Sequence, residues 1–157
     1  MKVYRTDEIR NVVLLGHGGS GKTSLVEAMA YVSGATNRIG KVSDANTISD
    51  FDKEEQKRKF SISTSLIPIE WEKAKINVLD TPGYFDFCGE VISSLTASDA
   101  AIIVIDATTD IQVGTEKSLE LTEDVPKIMF INKIDNEKSR YKDTLEILRE
   151  QYGNKIV

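Results

Sequence analysis

Three groups of residues in this chain have types and spacings suited to chemistry on a phosphorylated ligand. Gly16-His-Gly-Gly-Ser-Gly-Lys-Thr23 fits the pattern G-x-x-x-x-G-K-[ST] and stands between the apolar run 11–15 and a helix-like stretch, 24–30. Glycines let a backbone wrap closely around phosphate oxygens, and the N–H groups at a helix start point toward negative charge. Gly18, Gly19, Ser20, Gly21, Lys22, Thr23 and Ser24 are therefore the expected phosphate cradle. Lys22 would reach the β- and γ-phosphates and the Thr23 hydroxyl would ligate Mg²⁺. The plainer alternative makes Lys22 a solvated cation in a glycine-rich turn. A lysine in the first turn opposes the helix dipole, however, and phosphate supplies a reason for it. His17, the one histidine, reads as positional, because the backbone does the binding in such a loop.

Asp80-Thr-Pro-Gly83 closes the apolar run 75–79. A carboxylate at the carboxyl end of a strand beside a phosphate loop suits the outer shell of Mg²⁺, and the Gly83 N–H can meet a γ-phosphate. Capping the helix-like stretch 85–92 is the bland use of Asp80. Ser61 and Thr64 are read as opening a strand just after a charged loop, and one of these hydroxyls is expected to complete the protein ligands to Mg²⁺. The third group, Asn132-Lys-Ile-Asp135, follows the run 127–131. Asp135 can accept hydrogen bonds from guanine N1–H and the N2 amine, which adenine cannot give. Asn132 would fix the loop and reach the base, and the Lys133 stem would lie over the nucleotide plane.

These residues need a sheet edge to gather them. The runs 11–15, 75–79, 100–105 and 127–131 are nearly continuous apolar stretches, as in strands covered on both faces, and predict a parallel sheet. Leu25, Met29 and Val32, then Tyr141, Leu145 and Leu148, recur with helical spacing, and Gly34 and Gly153 are placed as helix stops. Residues 61–70 begin polar on alternate positions and contain Pro68, which suits an edge strand paired antiparallel with 75–79 through a short hairpin. The expected fold is α/β, mostly parallel with one antiparallel edge strand. Residues 36–59 have no sustained apolar period, and the charge cluster from Asp50 to Lys59 reads as a solvated helix or loop.

At 157 residues and 40% hydrophobic content, one globular domain is expected. The formal charge of −5 argues against nonspecific binding to nucleic acid or anionic membrane. Cys88, the single cysteine, excludes an internal disulfide and reads as a small core residue suited to a reducing cytoplasm. No stretch approaches a membrane span, and the polar N-terminus is unlike a signal peptide. The expected location is cytoplasmic.

Taken in order, Gly16-His-Gly-Gly-Ser-Gly-Lys-Thr23, the loop ending Arg58-Lys-Phe-Ser-Ile-Ser-Thr-Ser65, the stretch from Asp80-Thr-Pro-Gly-Tyr84 to Val91, residues 98–106 and Asn132-Lys-Ile-Asp135 resemble translational GTPases. The resemblance is strongest to the N-terminal GTP-binding domain of elongation factor G and its paralogues, and it covers nearly the whole chain. It implies a three-layer P-loop NTPase fold over 1–157, a first switch at about 36–64 and a second at about 80–91. It further implies GTP and GDP as ligands with Mg²⁺, hydrolysis of GTP, and a ribosome met through the full-length factor. Ser61 aligns with the family's Mg²⁺-binding threonine.

Three departures from the family pattern stand out. Tyr84 replaces the histidine that orients the attacking water, and a phenol with an ordinary pKa of about 10 is a poor proton acceptor at neutral pH. Lys22, Gly83 and Tyr84 remain the residues expected around the reacting phosphate. Gly19 stands in place of an aspartate, and Ser61 keeps the hydroxyl but lacks the methyl that stiffens threonine. The chain ends where the family continues into a further strand and a last helix, so it is read as a fragment with 127–131 as an exposed edge. Two rival readings carry over: a GTP-dependent binding module with little hydrolysis, and an ATP-using phosphate-loop protein.

Overall fold

The computed structural model describes residues 2–153, the side chain of Phe85 excepted. Its order is β1 (Ile9–Leu15), α1 (Lys22–Val32), α2 (Lys53–Arg58), β2 (Ser65–Trp71), β3 (Ala74–Asp80), α3 (Cys88–Thr96), β4 (Ala100–Asp106), α4 (Val113–Leu121), β5 (Lys127–Asn132) and α5 (Tyr141–Tyr152). The strands form one sheet in the order β2-β3-β1-β4-β5. Pairings β1–β3, β1–β4 and β4–β5 are parallel, and β2 pairs antiparallel with β3 from Ser65 opposite Asp80 to Trp71 opposite Ala74. The expected mostly parallel sheet with one antiparallel edge is present.

Alternate residues of the central strands feed two separate cores. Leu14, Val78 and Val104 pack with Val26 and Ala30 of α1 and with Ile67 and Ile69 of β2. On the opposite face, Val13, Leu15, Ile103 and Ile105 pack with Leu119 of α4 and Leu148 of α5, and Val91 and Leu95 of α3 close that layer. Three layers result, with α1 alone on one face. Each fully buried aliphatic side chain contributes about 1.5–3 kcal/mol, so these rows make the sheet the rigid frame of the molecule.

Several expectations need correction. The buried face of α1 is carried by Val26 and Ala30, with Leu25 and Met29 beside them, whereas Val32 is exposed at the helix end. Tyr141 is exposed at the start of α5, whose buried residues are the expected Leu148 and, in addition, Thr144. Strand β2 starts at Ser65, not Ser61, because pairing with β3 begins only opposite Asp80. Within it Pro68 points outward between buried Ile67 and Ile69, as an edge strand allows. The run 127–131 is half-covered rather than buried on both faces, with Ile128 and Phe130 exposed. Cys88 is half-buried at the start of α3 rather than in the core. Gly34, one residue past the Ser33 cap of α1, and Gly153, directly after α5, both have positive φ, as expected of stops. Residues 154–157, on which the reading of the chain end rests, lie outside the described residues. No helix among the described residues is long and apolar enough to cross a membrane.

Candidate functional site

Three parallel strands, β1, β3 and β4, deliver their carboxyl ends to one place. The loop after β1 turns into α1 through Gly21, whose φ is 101°. Lys22 opens the helix, yet its side chain folds back, and its Nζ donates to the carbonyls of Gly16 at 2.9 Å and His17 at 3.1 Å. Burial lowers its pKa to about 8, against the opposing pull of Asp80. A buried ammonium held at the loop's mouth by two carbonyls is ready to exchange them for anionic oxygens.

Strand β3 brings Asp80 to the same end. One carboxylate oxygen accepts from Thr23 Oγ1 at 2.9 Å, while the other is buried with no hydrogen-bond partner. Burial raises its pKa to about 6, although the Thr23 hydrogen bond and Lys22 pull the other way. Ser61 Oγ lies 3.4 Å from Thr23 Oγ1. Two hydroxyls and an under-satisfied buried carboxylate are hard oxygen donors of the kind Mg²⁺ takes, so Thr23, Ser61 and Asp80 fit the ion.

Beyond Asp80 the chain is pinned by Thr81, whose hydroxyl donates to the Leu14 carbonyl at 2.5 Å. This pin lays Gly83 directly over the phosphate loop. A β-carbon on Gly83 would stand 2.6 Å from the Gly18 nitrogen and would also meet Lys22 Nζ. Glycine is required by that approach alone. Tyr84 follows, its ring against Gly18 and in edge contact with Phe60 at a centroid distance of 4.8 Å. Between these parts lies a cavity of about 250 Å³, lined by Gly18, Gly19, Gly21, Lys22, Thr23 and Ser24 of the loop and α1 start, by Gly83 and Tyr84, and by Lys133.

Residues 42–61 roof this cavity through Val42, Asp50, Lys59, Phe60 and Ser61. With no apolar period to bury, this segment is held by buried polar groups. Glu27 of α1, 1% exposed, accepts from the Gly40 N–H at 2.6 Å and from the Ile48 N–H. Glu55 of α2 accepts from the N–H groups of Ile62 and Ser63 at 2.9 and 3.1 Å. Asp50 accepts from Ser61 Oγ at 2.7 Å, and burial raises its pKa despite that bond. Thr64 goes elsewhere: its N–H donates to Glu90 at 2.8 Å, and its hydroxyl lies 2.8 Å from Ser94 Oγ of α3. Of the two candidate hydroxyls, only Ser61 reaches the Thr23–Asp80 cluster.

The residues after β5 divide. Asn132 Nδ2 donates to the Ser20 carbonyl at 2.9 Å, so it braces the phosphate loop from behind. Lys133, with φ of 60°, donates from Nζ to the Gly19 carbonyl at 2.7 Å and to Asp106 at 2.6 Å. Asp106 ends β4; burial pushes its pKa up, but the bonds from Lys133 and Thr108 outweigh that and hold it low. Asp135 is exposed in the turn beyond and does not line the cavity. His17 packs against Gly114 at the start of α4, its Nδ1 buried without a partner.

Asp50, Asp106, Glu27 and Glu55 were not singled out by the sequence. Asp106 had a usable signal, since it ends a strand at the same sheet edge as Asp80. The other three lie in or act on a segment without periodicity, and only the fold reveals their partners.

Comparison with known proteins agrees with this geometry. A model of the elongation factor Tu GTP-binding domain matches residues 7–157. The chain is 37% identical over 151 residues to mitochondrial ribosome-releasing factor 2 of Vanderwaltozyma polyspora, covering 96% of this chain and 19% of that protein. It is 33% identical over 153 residues to elongation factor G of Granulibacter bethesdensis, covering 96% of this chain and 22% of that protein. A crystal structure from Thermus thermophilus superposes with a TM-score of 0.88 at 37% identity, covering 93% of this chain and 22% of its own. The bacterial selenocysteine-specific elongation factor, at 21% identity and a TM-score of 0.72 over 92% of this chain and 24% of its own, shares the fold. The chain spans about a fifth of the length of these curated relatives. Phosphate loop, sheet edge and sequence kinship converge: this chain belongs to the elongation factor Tu GTP-binding domain family and is a translational GTPase G domain.

Proposed function

We propose that residues 1–157 form the GTP-binding domain of an elongation factor G-like translation factor, which binds GTP and GDP with Mg²⁺ and hydrolyses GTP to drive a conformational switch on the ribosome. The observation that carries this reading is the convergence of Thr23, Ser61 and Asp80 at the mouth of the phosphate loop, 3.4 Å and 2.9 Å from hydroxyl to hydroxyl and hydroxyl to carboxylate. Mg²⁺ held by Thr23, Ser61 and Asp80 would supply charge neutralisation at the phosphates.

The chain's own residues take the following parts. Gly18, Gly19, Ser20, Gly21 and Ser24 line or shape the phosphate cradle. Lys22 meets the outer phosphates, and Thr23, Ser61 and Asp80 hold the ion directly or through water. Gly83 directs its N–H at the γ-phosphate, and Tyr84 lies beside the attacking water. Asn132 and Lys133 hold the loop while Asp135 reads guanine. Switch I is assigned to about 36–64 and switch II to about 80–91, joined by the hydrogen bond from the Thr64 N–H to Glu90. Partners are the guanine nucleotide and, through a larger protein, the ribosome. With a net charge of −5, no direct nonspecific hold on nucleic acid or membrane is assigned. The location follows the ribosomes served: cytoplasm, or the mitochondrial matrix, where relatives carry mitochondrial names.

A second reading, a GTP-dependent binding module with little hydrolysis, is favoured by Tyr84. Its phenol takes the place of a histidine and is packed against Gly18 and Phe60. Guanine recognition by Asp135 separates both readings from an ATP-using protein. Multiple-turnover phosphate release from GTP, with and without ribosomes, tests the assignment. Ribosome-stimulated turnover is expected, and a flat trace with retained GTP binding would favour the binding module.

A further inference from the structure

Lys59 occupies a backbone conformation that normally selects glycine. It closes α2 with φ 59° and ψ 36°, its N–H donating to the Glu55 carbonyl at 2.7 Å. A left-handed residue at a helix end costs glycine nothing, whereas a side chain with a β-carbon is disfavoured there by about 1 kcal/mol. Packing does not account for the side chain, since the residue is exposed.

Its surroundings suggest what the lysine is for. Three lysines line the cavity, Lys22, Lys59 and Lys133. Lys22 is held by the Gly16 and His17 carbonyls, and Lys133 by Gly19 and Asp106. The Lys59 ammonium has no hydrogen bond or ion pair among the described residues, although its neighbour Arg58 pairs with Glu54 at 3.3 Å. The next residue, Phe60, contacts Tyr84, and Tyr84 covers Gly18 of the phosphate loop. Ser61 then reaches Thr23. Among the described residues, Lys59 is thus the one lining cation without a partner, carried on the roof at the phosphate end.

We propose that Lys59 is a specificity-determining residue of the switch segment, a cation that contacts the terminal phosphate of a nucleoside triphosphate and so favours triphosphate over diphosphate. The inference rests on the nucleotide site proposed above. A charge-assisted contact made to GTP and absent with GDP changes their affinity ratio by about tenfold. Because the ammonium rides on the roof, the same contact would close that roof over a triphosphate.

The test is calorimetric titration of the whole chain in Mg²⁺ buffer with GDP and with a non-hydrolysable GTP analogue, for wild type, Lys59→Gly, Lys59→Asn and Lys59→Arg. Glycine and asparagine both suit the left-handed backbone, so the folded state is retained, and thermal unfolding of Lys59→Gly is expected at or above the wild-type temperature. The expected result is a loss of about tenfold in analogue affinity for Lys59→Gly and Lys59→Asn, GDP affinity within about twofold of wild type, and recovery by Lys59→Arg. An unchanged ratio of analogue to GDP affinity, with wild type binding both, overturns the role of Lys59 and leaves the nucleotide site standing. Failure of wild type to bind either guanine nucleotide overturns both.

Discussion

The ring of Tyr84 lies so close to Gly18 that a β-carbon on that glycine would stand 2.9 Å from Tyr84 Cζ. The phosphate loop and the segment after β3 therefore touch through a phenol and a bare α-carbon. Gly18→Ala is expected to displace Tyr84 and to weaken nucleotide binding by about tenfold or more, while the sheet, whose core lies below the loop, keeps its unfolding temperature within a few degrees. Circular dichroism melts beside nucleotide titrations check this. A variant that binds as wild type would show that Tyr84 yields without consequence.

A phenol donates a hydrogen bond readily but accepts a proton poorly at neutral pH, whereas imidazole does both. Tyr84→His is expected to raise single-turnover GTP hydrolysis by about a hundredfold, at the lower end of the usual range for general-base assistance. An unchanged rate would mean that the missing imidazole does not limit turnover.

Lys22 carries a cost that function explains. Its pKa lies at about 8 rather than 10.5, chiefly through burial. Below pH 8 the ammonium is charged in folded and unfolded chains alike, and the folded state bears the full penalty. Between pH 8 and 10.5 the unfolded chain holds more protons, so stability rises with pH as the penalty is relieved. A depression of that size corresponds to about 3 kcal/mol, offset in part by the hydrogen bonds to Gly16 and His17. Lys22→Met is expected to stabilise the ligand-free fold by about 1 kcal/mol at about pH 7, with a smaller difference at about pH 9.5, and to abolish nucleotide binding. Urea unfolding at the two pH values measures it, and a destabilised Lys22→Met chain would contradict this account of burial.

Asp135 is exposed and lies outside the cavity lining, so its replacement leaves the phosphate end intact. Asp135→Asn reverses the hydrogen-bond demand placed on the base and is expected to move preference from guanine to xanthine nucleotides by about tenfold or more. Competition between GDP and XDP reads this directly. No shift would remove Asp135 from the base site.

Much of this architecture is legible in the chain. The four parallel strands announce themselves as nearly continuous apolar runs, and Pro68 marks the antiparallel edge strand. Thr23 and Asp80 are legible because each ends or follows such a run at the same sheet edge. The roof is not. Glu27 looks like an ordinary polar residue of α1 until the N–H groups of Gly40 and Ile48 are seen to fall on its carboxylate, and Glu55 is lost in a run of charges. Thr64 and Ser61 are three residues apart with similar side chains, yet strand pairing that starts at Ser65 turns one toward α3 and leaves the other near Thr23. Such partners are set by long-range folding, which periodicity does not encode.

The phosphate loop, the Asp80 cluster and the Asp135 turn are proposed to assemble one guanine-nucleotide site. Calorimetric titration of this chain with GDP, GTP and ATP in Mg²⁺ buffer tests it most directly. The account predicts binding of GDP and GTP with a preference over ATP of about a hundredfold or more. Equal affinity for ATP and GTP would contradict it.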